Sequence, residues 1–315
     1  MSRLFRLTAF LHDAREIRSR TKLKKLRTNC ARPRNCVIEV LFRHFQQFLI
    51  VDVCQSTPLR HQEFAALPQY GWLLDRLLWS GDLPQYYKEF FDPFVWLTAA
   101  AAVTTKLKVG TSVCLVPEHN TMNVAKTIAC LDQVSNGRFL FGIGAGWNAE
   151  EMADHGVEFK DRWKVTRERV LAMKEIWTKE VAEYHGKFVK FDPIWCWPKP
   201  VKAGGPPVYL GAWSKFVPKR VAEYCDGWIP ADFGIDLASG VEAVKAEAAR
   251  RGRPADTLDF TVLTAYEMVR SGNMEARIQE LLKLGFNRVL SRRSPGRRSN
   301  GRCWERYAAL IRKFV

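Results

Sequence analysis

Lys106-Leu-Lys-Val-Gly-Thr-Ser-Val-Cys-Leu-Val116, then Asn120-Thr121 opening a run that carries Val124, Ile128 and Leu131, then Ser135-Asn136-Gly137, then Arg138-Phe-Leu-Phe-Gly-Ile-Gly144: this stretch decides the fold. Its first piece has the β-branched content and apolar spacing of a strand. Asn120 is a helix cap, the spacing of Val124, Ile128 and Leu131 gathers them on one helical face, and Ser135-Asn136-Gly137 stops that helix. Arg138–Gly144 is then a second, buried strand. Strand, helix and strand with short joints make a right-handed βαβ unit, so the two strands are parallel.

The alternation extends in both directions. Upstream, Asp92-Pro93 pairs an N-cap acid with proline at the first helical position and leads into the apolar run Phe94–Val103. Downstream, Trp163, Val170, Met173 and Trp177 share a face of a helix over about 161–179, and the Pro/Gly-rich stretch Tyr184–Pro206 reads as an irregular surface excursion. Then come strand Pro207–Gly211, helix Lys215–Tyr224, strand Gly227–Pro230, helix Ala238–Arg251, strand Phe260–Ala265, helix Asn273–Leu284 and strand Phe286–Leu290. Such an α/β alternation admits a barrel or a doubly wound open sheet. Six consecutive units with roughly 90 residues upstream fit eight, and no glycine fingerprint sits on a first strand, which favours the (β/α)8 barrel.

The chain has 315 residues, 47% of them hydrophobic, with 11 Trp, which suits one large domain over 36–315. No apolar run is long enough for a membrane span. The net charge of +16 is confined to the ends: residues 1–35 hold 11 Lys/Arg against 2 acids and residues 288–315 hold 9 against 1. The 29 basic and 30 acidic residues between them leave the body neutral, which argues against nucleic acid as a partner. Residues 1–35 are expected to be poorly ordered. The eight cysteines are scattered and no His/Cys cluster has metal-ligand spacing, so reduced thiols, no metal and a cytoplasmic location are expected. Met1–Arg20 lacks the apolar centre of a secretion signal.

Two glycine segments carry the chemistry that can be read directly. Gly142-x-Gly144-x-Gly146-Trp147 ends a strand, where missing Cβ atoms would let backbone N–H groups approach a phosphate or a flat ring; a tight β-to-α turn in a crowded rim is the competing reading. Gly211-Ala212-Trp213-Ser214 follows another strand and opens a helix, so its amides and the Ser214 hydroxyl suit a phosphate. Glu150 and Glu151 start a helix, as acids favour, and Glu151 is the candidate for proton handling. His119, after the third strand, is a candidate acid/base or substrate contact.

Asp92–Val113 resembles the third helix-strand region of the luciferase-like monooxygenase superfamily. The likeness continues through Ala125-Lys126, Leu131-Asp132, Ser135–Phe139, Gly142–Trp147, Glu150-Glu151, Tyr184–Phe188, Pro198–Pro200, Pro206–Gly211 and Cys225–Pro230, covering about 80–290, and it is greatest to the deazaflavin-dependent branch. The resemblance implies a (β/α)8 barrel that binds coenzyme F-420, or alternatively FMN, and performs hydride transfer or monooxygenation on a small organic substrate; it also admits a homodimer. It implies a non-prolyl cis bond at Ser112-Val113 against the cofactor ring, with Thr111, Ser112, Val113, Gly144, Gly146, Trp147, Gly211, Ala212 and Ser214 around the cofactor and Glu151 or His119 near the substrate. Trp195, Trp197 and Tyr184 would pack or form a lid over the mouth.

The resemblance stops upstream. The family opens with a strand, a helix and a second strand bearing Gly-aromatic-Asp-Ser-x-Trp and an Asp-His, none of which occurs in residues 1–79. Only Val37–Phe42 and Phe48–Val53 could serve as replacement strands, so the N-terminal strands are expected to be altered or incomplete. A shifted reading frame over this stretch and over Arg292–Cys303 would account for the break. The alternative function is then a catalytically inactive, degenerate barrel that binds cofactor weakly or not at all. Arg292, Arg293, Arg297 and Arg298 read as a solvated tail before a terminal helix, Glu305–Phe314.

Overall fold

In the computed structural model the described residues are 48–52, 63–67, 92–105, 107–232, 234–265 and 274–292. The deciding stretch folds as read: β3 (Lys108–Thr111) and β5 (Phe139–Gly144) are parallel neighbours with Val109 opposite Phe139, joined through α2 (Thr121–Ser135). Asn120 Oδ1 accepts from the amides of Met122 and Asn123, and the helix ends where Asn136 turns left-handed at φ 53°. Arg138 then gathers carbonyls at the end of α1 (Pro93–Val103), donating to Ala101 O at 2.8 Å and Thr104 O at 3.0 Å and also to Leu107 O. A helix end whose last carbonyls find a guanidinium is both hydrogen-bonded and favourably charged.

One strand was expected over Lys106–Val116, and the structure divides it. β3 ends at Thr111 and β4 is only Cys114–Leu115; the Ser112–Val113 peptide between them is cis, as the resemblance implied. The sheet continues from β5 through β8 (Val208–Leu210), β9 (Gly227–Trp228), β10 (Asp259–Ala265) and β11 (Arg288–Arg292), every pairing parallel. Beyond β11 lies β1 (Phe48–Asp52), antiparallel to it with Phe48 opposite Arg292, and then β2 (Glu63–Leu67), which is antiparallel to β1 and parallel to β3. Since β3 pairs with both β2 and β5, the pairings run round a ring. This is an α/β barrel with altered opening strands, reversed at β1. Phe48–Val53 was foreseen as a strand; Glu63–Leu67 was not. Val37–Phe42, the basic segment 1–35, Arg293 onward and Glu305–Phe314 lie outside the described residues.

The pleat sorts each strand into two faces. Leu140, Tyr209, Ile229 and Leu290, with Leu263 against them, form one cluster inside the ring. Phe139, Phe141 and Ile143 point the other way, under the helices, where Phe141 meets the Trp177 ring edge-on at 6.3 Å. Trp177 belongs to α4 (Arg162–Thr178) and donates its indole N–H to Ala125 O at 3.0 Å, tying α4 to α2. At the end of the ring where β10 and β11 begin, Arg288 and Asp259 form a 2.5 Å ion pair that the Tyr209 hydroxyl joins at 2.9 Å. Arg288 is buried and a buried charge needs a counter-charge, which the half-buried Asp259 supplies.

The stretch Tyr184–Pro206 is not irregular throughout. β6 (Val181–His185) and β7 (Lys190–Trp195) form an antiparallel hairpin, and Glu168 of α4 accepts from the amides of Lys187, Phe188 and Val189 at 3.1, 2.7 and 3.0 Å in its turn. Arg292 ends β11 instead of starting a tail.

Candidate functional site

Parallel strands deliver their C-terminal ends to one rim of the barrel, which is where chain segments from separate strands can meet around a ligand. Here the ends of β3/β4, β5 and β8 meet around a cavity of about 440 Å³. Val113 is the key to its floor. A Cβ built on Gly144 would lie 2.6 Å from Val113 Cγ2, and one on Gly211 would lie 2.3 Å from Val113 Cγ1, so both positions are held to glycine by one side chain. The Gly211 amide donates to Ile143 O at 2.8 Å, which fixes the distance between the two glycines' strands. Gly146 turns the chain at φ +77°, a conformation glycine adopts without cost.

From Gly146 the chain passes exposed Trp147 to Asn148, whose side chain caps α3 (Ala149–Asp154) by accepting from the amides of Glu150 and Glu151. On the far side, Gly211–Ser214 leads into α5 (Val217–Tyr224); Ser214 Oγ accepts from Phe216 N at 3.3 Å, and Ala212 O accepts the Trp228 indole at 2.9 Å. Trp213 stacks on Trp228 with centroids 5.7 Å apart, so this bulky residue leaves the rim open. Arg162 and Trp163, at the start of α4, complete the wall, and the Arg220 guanidinium lies 3.9 Å above the Trp163 ring.

Two acids are buried behind the glycine loop. Glu118 and Glu151 are 6% and 4% exposed, and a Cβ on Gly146 would sit 3.2 Å from Glu118 Oε1. Burial, and next the neighbouring Glu151, push the Glu118 carboxyl up to about 8 from 4.5. Burial outweighs nearby Asp92 at His119 and brings its imidazole down to about 4; the ring meets Phe94 edge-on at 6.0 Å. Arg169 donates to the carbonyls of Val116 and His119 on either side of Glu118.

The structure therefore brings together Ser112, Val113, Gly144, Gly146, Trp147, Gly211, Ala212 and Ser214, all on the cavity wall. Thr111 is not on it: the residue is buried and its hydroxyl donates to Gly142 O at 2.7 Å, holding β3 to β5. His119 and Glu151 are not lining residues either, and neither are Tyr184, Trp195 or Trp197; Trp195 and Trp197 stand exposed on and after the hairpin. Sequence reasoning missed Arg162 and Trp163, which the helical reading treated as helix face alone, and Glu118, to which nothing in Pro117-Glu118-His119 draws attention.

The sequence profile of the family described as luciferase-like monooxygenase matches residues 72–309, wider at both ends than the span recognised by motif. An uncharacterized protein of Mycobacterium tuberculosis is 42% identical over 171 residues, which are 53% of this chain and 61% of that protein. An F420-dependent glucose-6-phosphate dehydrogenase of Nocardia farcinica is 30% identical over 187 residues, 56% of this chain and 55% of that one. The chain thus spans little more than half the length of these curated relatives. Among solved structures, the coenzyme F420-dependent tetrahydromethanopterin reductase of Methanopyrus kandleri superposes with a TM-score of 0.59 at 18% identity, over 72% of this chain and 89% of that one, a likeness of fold.

Proposed function

The chain belongs to the luciferase-like monooxygenase family, and on that premise we propose that it is an oxidoreductase that binds a deazaflavin of the coenzyme F-420 type and acts on a small organic substrate. One observation carries the reading. Two strand ends contribute three glycines, Gly144, Gly146 and Gly211, to a cavity of about 440 Å³, and at two of the three a methyl group would collide with Val113. A wall of backbone and small side chains accepts a flat ring closely, and the Gly211–Ser214 turn before α5 offers amides and a hydroxyl to a phosphate. FMN has the same two parts and is the alternative ligand. When bound, either ring supplies the redox chemistry, as carrier of a hydride or as the partner of oxygen.

The chain's own residues bind and orient. Val113 would support the ring from below, Ser214 and the amides beside it would hold the phosphate, and Trp147 and Trp213 flank the mouth and limit water. Glu118, neutral near pH 7, can hold a proton behind the Gly146 turn, and Glu151 beside it is the proposed proton-handling group together with His119. A second reading, a barrel that has lost turnover, is favoured by the reversal of β1, which removes one strand end from the rim. Titrating the full chain with coenzyme F-420 and with FMN by fluorescence tests both. Micromolar or tighter affinity for one of them supports the oxidoreductase reading, and binding of neither refutes it. A cytoplasmic, homodimeric enzyme is the form we expect; size-exclusion chromatography with light scattering checks the assembly.

A further inference from the structure

Gly146 lines the cavity, and the Glu118 carboxyl lies directly behind it: a methyl built on Gly146 would sit 3.2 Å from Glu118 Oε1 and 3.1 Å from Met152 Cε. Glu118 ends a single 3-10 turn, Val116–Glu118, that continues from β4, whose Leu115 pairs with Gly144 and also lines the cavity. Neither Glu118 oxygen has a hydrogen-bond partner among the described residues, although the residue is buried.

The groups around this acid do not favour its charged form. Glu151 on α3 adds a like charge. Arg169 on α4 donates to the carbonyls of Val116, at 2.9 Å, and His119, flanking Glu118 without a hydrogen bond to it. Burial brings the His119 imidazole down to about 4, so it is neutral above that. Burial, then Glu118 and Asp92, hold the Cys114 thiol on β4 well above its ordinary range. Asp92 at the cap of α1 and His155 at the end of α3 complete the charged groups of this cluster, acting on His119. A buried acid without partners is tolerated while neutral, but as an ion it needs water or a counter-charge. Water is on the other side of Gly146, in the cavity.

We infer that Glu118 is a positioning residue of the ring site: as a neutral acid it backs the Gly146 turn, and as a carboxylate it opens that turn to water and weakens binding in the cavity. The inference rests on the reading of the cavity as a ring site and adds its regulation. Burial and then Glu151 hold the carboxyl up to about 8, so the turn is closed below that pH and released above it. Affinity therefore falls as pH rises, by up to about tenfold per unit beyond the transition.

The test compares the full chain as wild type, E118Q and E151Q between pH 6.5 and 9. The first readout is fluorescence titration with coenzyme F-420 and with FMN; comparison at each pH cancels the ligand's own titration. Wild type and E118Q are expected to agree within about twofold at pH 6.5, with wild type about tenfold the weaker at pH 9. E151Q loses the like charge, so its affinity should fall at a lower pH than that of wild type. The second readout needs no ligand: chymotrypsin cleavage after exposed Trp147, which follows opening of the turn, should be severalfold faster in wild type than in E118Q at pH 9 and equal at pH 6.5. Parallel pH profiles of wild type and E118Q in cleavage overturn the role of Glu118, and parallel profiles in affinity overturn its link to the ring site. If wild type binds neither probe the ring site and the link fall together, while cleavage still decides whether Glu118 governs the turn.

Discussion

Glu118→Gln changes one atom type and removes one ionisation, and its effect can be worked from the buried acids behind the Gly146 turn. In the folded protein the carboxyl is held up to about 8, first by burial and then by Glu151, whereas in the unfolded chain it titrates near 4.5. Between those values the folded state keeps a proton that the unfolded state has given up, so stability falls as pH rises. The contribution is complete below about 4.5 and is lost as pH climbs through 8. At ~1.4 kcal/mol for each pH unit the ceiling is on the order of 5 kcal/mol, and water reaching an ionised Glu118 brings the expected loss to ~1–3 kcal/mol. The amide that replaces the carboxyl in the variant is neutral throughout. Urea unfolding at pH 5, 6.5 and 8.5 should therefore give wild type and variant similar midpoints at the lowest pH, and a variant that is the more stable by ~1–3 kcal/mol at the highest. Taking the difference cancels the groups that titrate alike in both proteins, which leaves Glu118 and its coupled neighbour Glu151. Parallel curves across the range would refute the raised acid, and a variant less stable at pH 8.5 would refute the sign.

Gly211→Ala sets a methyl 2.3 Å from Val113 Cγ1, which must move into the cavity; a cost of ~1–3 kcal/mol and at least a tenfold loss of ring binding are expected by urea and fluorescence titration, and wild-type affinity would contradict the account of the floor. Thr111→Val removes the 2.7 Å bond to Gly142 O and should cost ~1 kcal/mol in the same unfolding assay while leaving ligand affinity unchanged, since Thr111 is off the cavity wall. Glu168→Ala strips the shared acceptor from three amides of the β6–β7 turn; amide exchange at Lys187–Val189 should rise by tenfold or more, about 1.4 kcal/mol or beyond, with slower-exchanging helix amides unaffected.

How far the sequence could be read depended on how strongly local pattern constrained each element. Arg138–Gly144 is apolar on both faces because one face meets Trp177 and the other the barrel interior, and a run like that reads as a buried strand at once. Asn120, Asn136 and Gly137 announced the ends of α2 through chemistry that is local by nature. The hairpin was missed because Val181–His185 buries only alternate residues against one helix, and its turn is set by Glu168, remote in sequence. Glu63–Leu67, rich in Glu, Ala and Leu, has a helical composition and becomes a strand between two others, so neighbours override propensity there. At the site, the glycine turns were legible because missing side chains are visible in sequence. Thr111 was misplaced by one step of the pleat, and the burial of Glu118 is a tertiary fact with no local mark.

The interlock of Val113 with Gly144 and Gly211 also limits how this protein can change. Each glycine is forbidden a methyl by a different branch of one valine, so neither can drift alone, whereas a cut-back valine releases both at once. Val113→Ala would therefore make Gly211→Ala tolerable, and the pair should recover stability that the second change alone forfeits, a coupling of ~1–2 kcal/mol in a double-mutant cycle. In lineages descending from this chain, positions 113, 144 and 211 are expected to evolve as one character, with size handed from strand to strand.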